Sequence, residues 1–126
     1  MTYCVALKLN AGLVLLSDTR TNAGLDNIAT YRKMFFFENP GERVIAIMTA
    51  GSLSVTQTTI SRLGEAIDDP EATERSSIMR CPTMLGVADI VGETLLTLAR
   101  AAEAEGRCDE AALWQAVEAR LRPREP

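Results

Sequence analysis

Four short stretches hold residues that could do covalent chemistry. Thr2 follows Met1. A small residue in that position permits removal of Met1, and the exposed threonine then carries a hydroxyl beside its own α-amine. A free α-amine has a pKa of about 7.7–8.0, so it can accept the hydroxyl proton at neutral pH. Threonine with a terminal amine is one of the recognised nucleophile–base pairs. Asp18 and Arg20 lie in Ser17-Asp18-Thr19-Arg20. They read either as a surface ion pair, worth little, or as a carboxylate that orients a cation near the nucleophile. Lys33 opens the apolar run Met34-Phe35-Phe36-Phe37. It is either a solvated strand end or a charge held close to Thr2, where it would lower the hydroxyl pKa or, with its own pKa depressed, accept the hydroxyl proton. Thr49-Ala50-Gly51-Ser52 joins an aliphatic run to a helical one. That junction is a tight turn in one reading. In the other, the Gly51 N–H stabilises charge developing on a carbonyl oxygen, and Ser52 supports it.

The chain of 126 residues contains no histidine. Ser-His-Asp and Cys-His catalysis are therefore excluded within it, as is any metal or haem site that needs an imidazole. A hydroxyl nucleophile here needs another base. Cys4, Cys81 and Cys108 are far apart and form no CxxC pair, so the reading is three reduced thiols, no metal and no cofactor. Net charge is −4, which argues against a nucleic-acid partner. Eleven of the 13 basic residues are arginine, leaving Lys8 and Lys33 as the candidates for lysine chemistry. No signal peptide is visible. The longest uncharged stretch, residues 44–61, is too polar for a membrane span. The expectation is a cytoplasmic protein of about one domain's length.

The elements that must position these residues are legible from periodicity. Tyr3 to Leu9 alternates, with Val5, Leu7 and Leu9 on one face. Asn10-Ala11-Gly12 is turn chemistry, and Leu13 to Ser17 returns, predicting a hairpin. Residues 19–30 are polar and carry Asn22 and Gly24, which predicts a loop. Lys33 to Glu38 and Arg43 to Thr49 flank Asn39-Pro40-Gly41, predicting a second hairpin. The period then becomes helical. Ser52 is a candidate N-cap for a helix bearing Val55, Thr59 or Ile60, Leu63 and Ile67, stopped at Asp68-Asp69-Pro70. A polar stretch runs to Pro82. Thr83 is a candidate cap for a second helix, with Met84, Val87, Val91, Leu95 and Leu98 on one side and Gly106 at its end. A last helix is predicted from Asp109 to Leu121. Strands followed by helices indicate an α+β fold.

Beyond about Arg100 the composition shifts to Ala, Glu and Arg. This reads either as a solvent-exposed amphipathic helix or as a GC-rich gene read out of frame.

Taken in order, Met1-Thr2, Asp18-Thr19-Arg20, Tyr31-Arg32-Lys33-Met34 and Thr49-Ala50-Gly51-Ser52 resemble the proteasome-type peptidases of the N-terminal nucleophile hydrolases. The stretch from Met1 to Glu38 most resembles the bacterial branch called Anbu, a relative of HslV and of proteasome β-subunits. The likeness covers residues 1–98 and is strongest up to Glu65. It implies a threonine peptidase that cleaves peptide bonds through an acyl-enzyme on Thr2. Asp18 and Lys33 would be the ion pair that tunes Thr2, Gly51 the oxyanion donor, and Arg20 the arginine that follows the family's aspartate. It also implies an αββα sandwich, of which two hairpins and the following helices would be the first half.

Members of that family are considerably longer. On this reading residues 1–126 are a single partial domain, 1–98 family-like and 99–126 a divergent helical tail, from a frameshift, a premature stop or a genuine short variant. The resemblance further implies self-association into a ring or related oligomer and a peptide or unfolded-protein substrate, with no membrane partner. An unfoldase partner is left open. Half a sandwich would leave sheet edges and an apolar face uncovered. A non-catalytic fragment or assembly partner is therefore the alternative reading, and an unrelated α+β binding module a further one.

Overall fold

The computed structural model describes residues 2–22 and 28–106. The chain divides into two compact units, Met1–Thr56 and Gln57–Pro126. The expected helix over 109–121, the tail and Cys108 lie outside the described residues.

The first unit is built from three antiparallel hairpins. β1 (Cys4–Leu9) pairs with β2 (Gly12–Ser17) in a register running from Cys4 opposite Ser17 to Leu9 opposite Gly12. Directly paired residues share a face. One face therefore carries Val5, Leu7, Leu9, Val14 and Leu16, and the last four of these are 48–61% exposed. A backbone bond from Asp18 N to Tyr3 O, 3.0 Å, carries the pairing one step past the strands.

β3 (Arg20–Asn22) and β4 (Ile28–Thr30) form a short hairpin where the sequence predicts a loop. Each strand has three residues, Arg-Thr-Asn against Ile-Ala-Thr. No apolar alternation marks them, and the pairing rests on backbone bonds. Tyr31 N, donating to Thr19 O at 2.7 Å, continues the pairing past the strand ends. The chain thus has three described hairpins, not two.

β5 (Met34–Asn39) pairs with β6 (Arg43–Met48), Phe37 opposite the buried Ile45. Pro40, Gly41 and Glu42 stand between them, with Glu42 N donating to Asn39 O at 3.0 Å. Gly41 has φ +80, the left-handed value that a type II turn requires after proline. At the open end Thr49 N donates to Lys33 O at 2.8 Å and Thr49 Oγ1 to the same oxygen at 3.1 Å. Lys33 and Thr49 are thereby held side by side.

α1 (Leu53–Asp68) starts directly after Ser52, whose carbonyl accepts the first helical bond from Thr56 N at 3.1 Å. It stops at Asp69-Pro70, as expected, since proline cannot continue a helix. Its buried residues are Thr59 and Leu63. α2 (Met84–Ala104) is capped by Thr83, whose hydroxyl accepts the Gly86 N–H at 3.1 Å. Gly106, at φ +72, follows the helix end.

Two expectations for the second unit are corrected. The buried face of α2 carries Val87, Ile90, Ala99 and Ala102, whereas Met84 is 66% exposed and Val91, Leu95 and Leu98 only half-buried. Small alanines set this face, and a count of large apolar residues overlooks them. The polar stretch 69–82 also supplies core: Ala72, Ser77, Ile78 and Cys81 are all buried. Local hydrogen bonds make that possible. Glu71 N donates to Asp69 Oδ1 (2.9 Å), Thr73 N to Ser76 Oγ (2.8 Å), and the Arg80 guanidinium to Ala72 O. With these groups paired, the segment can bury Ile78, although the buried Ser77 hydroxyl has no hydrogen-bond partner among the described residues.

Candidate active site

The end of β2 delivers Asp18 to the start of β1. Asp18 Oδ1 accepts the Tyr3 backbone N–H at 2.8 Å, one residue from Thr2. Its Oδ2 accepts the Arg20 N–H at 3.2 Å and the Lys33 ammonium at 2.7 Å. Lys33 Nζ also donates to Arg20 O at 2.6 Å. Lys33 is 7% exposed, and burying an ammonium is costly unless it is paired and hydrogen-bonded. Asp18 and the Arg20 carbonyl satisfy that need. In return the Lys33 hydrogen bond, then the Tyr3 N–H, hold the Asp18 carboxyl down from its ordinary 3.8 to about 2, against the partial burial that opposes ionisation. Asp18 is thus ionised at neutral pH. Cys4 Sγ lies 3.9 Å from Thr49 O, a weak link between the start of β1 and the end of β6.

Beside this cluster lies a cavity of about 320 Å³ in the first unit. Its lining includes Thr2, Lys33, Thr49, Ala50 and Gly51, and further round Arg20, Thr21, Tyr31, Arg32, Leu53 and Thr56. Four of the six sequence-predicted residues, Thr2, Arg20, Lys33 and Gly51, therefore share one cavity, and Asp18 reaches it through Lys33. Ser52 does not line it. Its hydroxyl pairs with Ser54 Oγ at 3.0 Å and its carbonyl starts α1. Gly51 has φ +97, and a Cβ there would meet nothing within 4 Å. Glycine is demanded at this position by backbone conformation, and space is not the constraint.

Several contributors were missed in the sequence, Tyr31 and Arg32 of the cavity lining among them. Tyr3 acts through its backbone N–H, and Thr21 and Thr56 line the cavity as threonines in an apparent loop and a helix start. No residue type signals a backbone donor. A larger cavity, about 460 Å³, lies in the second unit between Arg62, Glu65, Asp69, Arg75 and Glu93, and holds none of the predicted residues. Among the described residues no group of His, Cys, Asp or Glu could hold a metal ion, and no helix is long and apolar enough to cross a membrane.

Three hairpins leading into two helices match part of a proteasome-like fold. The structures that share them are Anbu proteins, to which the chain is homologous. It is similar to an Anbu Gly-1 mutant from Hyphomicrobium sp. strain MC1, with 40% identity and TM-score 0.72 over 77% of this chain and 41% of that one. It is likewise similar to Anbu (ancestral beta-subunit) from Yersinia bercovieri, with 38% identity and TM-score 0.72 over 83% of this chain and 43% of that one. The Anbu complex from Pseudomonas aeruginosa, a helical assembly, shares 42% identity at TM-score 0.64 over 75% of this chain and 37% of that one. The chain thus spans well under half the length of these relatives. No protein-family model and no curated protein matches it.

Proposed function

We propose that the chain carries the nucleophile half of a threonine-type peptidase of the proteasome-like class, the first part of an αββα sandwich. One observation supports this most. The buried Lys33 ammonium is fixed at 2.7 Å on Asp18, and Asp18 in turn grips the backbone of the residue after Thr2. With Met1 removed, the Thr2 α-amine takes the proton from the Thr2 hydroxyl, directly or through water. The oxygen attacks a peptide carbonyl, and the Gly51 N–H receives the oxyanion. As the tetrahedral species collapses, the departing amine takes the proton and an ester remains on Thr2. Water then hydrolyses the ester and restores the hydroxyl. Lys33 raises local positive charge and favours the alkoxide. Asp18 holds Lys33 in place, and Arg20 contributes its carbonyl and N–H to the same cluster. The working form is a homo-oligomer, a ring or a related assembly in the cytoplasm, acting on peptides or unfolded chains. The helical assembly of the Pseudomonas aeruginosa relative supports self-association.

The test is a threonine-directed covalent probe with mass spectrometry of the N-terminus. Wild type with Met1 removed should be labelled on Thr2, and Thr2→Ala should not. Retained Met1 would sink the reading, since the amine would sit on the wrong residue.

A second reading, a non-catalytic assembly partner, has its own support. Leu7, Leu9, Val14 and Leu16 on one face of the first hairpin are 48–61% exposed, a patch of the kind that marks interaction surfaces. Self-association of a Met1-processed chain whose Thr2 stays unlabelled would favour it.

A further inference from the structure

The chain is acidic, yet the Thr2 cavity is not. Residues 1–56 hold five basic and four acidic side chains, so the acidic excess lies beyond them. Three of those five, Arg20, Arg32 and Lys33, line the cavity, and among the described residues no acidic one does. Lys33 is neutralised by Asp18. Arg20 and Arg32 are both exposed, and neither guanidinium has a carboxylate partner among the described residues. The start of α1, with Leu53 and Thr56 in the lining, turns its positive dipole end to the same cavity and has no acidic residue in its first turn. Around these charges stand hydroxyl-bearing residues: Thr21, Tyr31 and Thr49. A cavity with two unneutralised guanidiniums, a helix N-terminus and a polar lining is suited to an anion. A planar carboxylate matches the arginine fork best.

We infer that the Thr2 cavity selects a peptide carboxylate, that of an acidic side chain or of the peptide C-terminus, with Arg32 as the specificity-determining residue and Arg20 as its companion. The inference rests on the peptidase reading for the ligand being a peptide. It does not depend on Thr2 being acylated.

The test is therefore a binding measurement on the full-length Thr2→Ala chain, which turns nothing over. Three labelled peptides are titrated by fluorescence anisotropy: an acetylated, amidated peptide with one central Glu, the same with Gln, and the Gln peptide with a free C-terminal carboxylate. The Glu or the free-carboxylate peptide should bind about tenfold tighter than the neutral one, and whichever does names the source of the carboxylate. Adding Arg32→Gln should remove most of that advantage. If this variant does not fold, the parent decides the matter through salt: the advantage should shrink between about 50 and about 200 mM salt. Equal binding of all three peptides, no binding of any, a salt-independent preference, or one that survives Arg32→Gln would overturn the inference. Failure of the covalent probe to label Thr2 in wild type would sink the peptidase reading and leave this result standing.

Discussion

Lys33 and Thr49 sit side by side because Thr49 donates twice to the Lys33 carbonyl, from N at 2.8 Å and from Oγ1 at 3.1 Å. The residue that carries the buried ammonium is thus bound to the residue that leads into Gly51. One hairpin end delivers both the cation and the turn glycine to the cavity, and the other hairpin end delivers Asp18 and Thr2.

Lys33→Met should abolish the proposed chemistry. It keeps the apolar stem and removes the ammonium, so Asp18 loses the largest cause of its low pKa and should titrate closer to 3.8. Covalent labelling of Thr2 should fall at least about 100-fold, the scale of removing one preorganised electrostatic contact. Lys33→Arg should not rescue it, because a planar fork cannot meet both Asp18 Oδ2 and Arg20 O as one nitrogen does. Labelling rates and far-UV circular dichroism, read together, separate lost chemistry from lost fold.

Acid should weaken the native state through Asp18. Its folded pKa, about 2, lies below the ordinary 3.8, so the unfolded chain binds the proton more readily. The stabilisation is complete above 3.8 and is lost as pH falls through that value toward about 2. Thermal melts of wild type and Asp18→Asn across this range should converge as pH drops. A constant gap between them would contradict the assigned hydrogen bonds.

Gly51→Ala should destabilise the chain by about 1–2 kcal/mol, the cost of forcing an L-residue into the left-handed region. Since a Cβ at Gly51 has open space, the loss should appear with any side chain and not grow with its size. Chemical denaturation of the Ala and Met variants, neither branched at Cβ, tests this. Equal loss in both supports a backbone origin.

Much of this was legible in the sequence, for reasons that differ by residue. β1, β2, β5 and β6 announce themselves by alternation and by Asn-Ala-Gly and Pro-Gly turns, and the two helices by spacing and by Ser52, Pro70 and Thr83. β3 and β4 do not, because Arg-Thr-Asn and Ile-Ala-Thr are too short to show an alternation and are paired through backbone bonds. Ile78 and Cys81 looked like part of a polar linker, since the bonds that satisfy that segment depend on its folded shape. In the site, Thr2, Asp18, Lys33 and Gly51 stood out by residue type and order. Tyr3 could not, because it contributes an N–H that every residue but proline possesses. Arg32 stood beside Lys33 in the sequence, but its place in the cavity lining is set by the third dimension.

Thr83→Ala should cost about 1 kcal/mol, the usual loss for an N-cap hydroxyl. Thr83 Oγ1 accepts the Gly86 N–H at 3.1 Å and has extended backbone, φ −127 and ψ 151. Thr83→Ser or Thr83→Asp should retain most of the stability, since each keeps an acceptor. Urea titration of the three variants gives the ranking.

Gly86→Ala should be more damaging than its helical context suggests. Alanine is the better helix former by about 1 kcal/mol, so an exposed glycine would gain from the change. At Gly86 the added Cβ would run into the buried Cys81 sulfur and stand 3.2 Å from Thr83 Oγ1. Overpacking of this kind costs about 1–3 kcal/mol, which outweighs the propensity gain. The origin can be isolated by pairing it with Cys81→Ala, which removes the sulfur and opens the space. Cys81→Ala alone should destabilise by leaving a small void. In the double variant the two losses should fall short of additive, with a coupling of about 0.5–3 kcal/mol. Strict additivity in urea denaturation would mean that Gly86 is set by something other than the approach of Cys81.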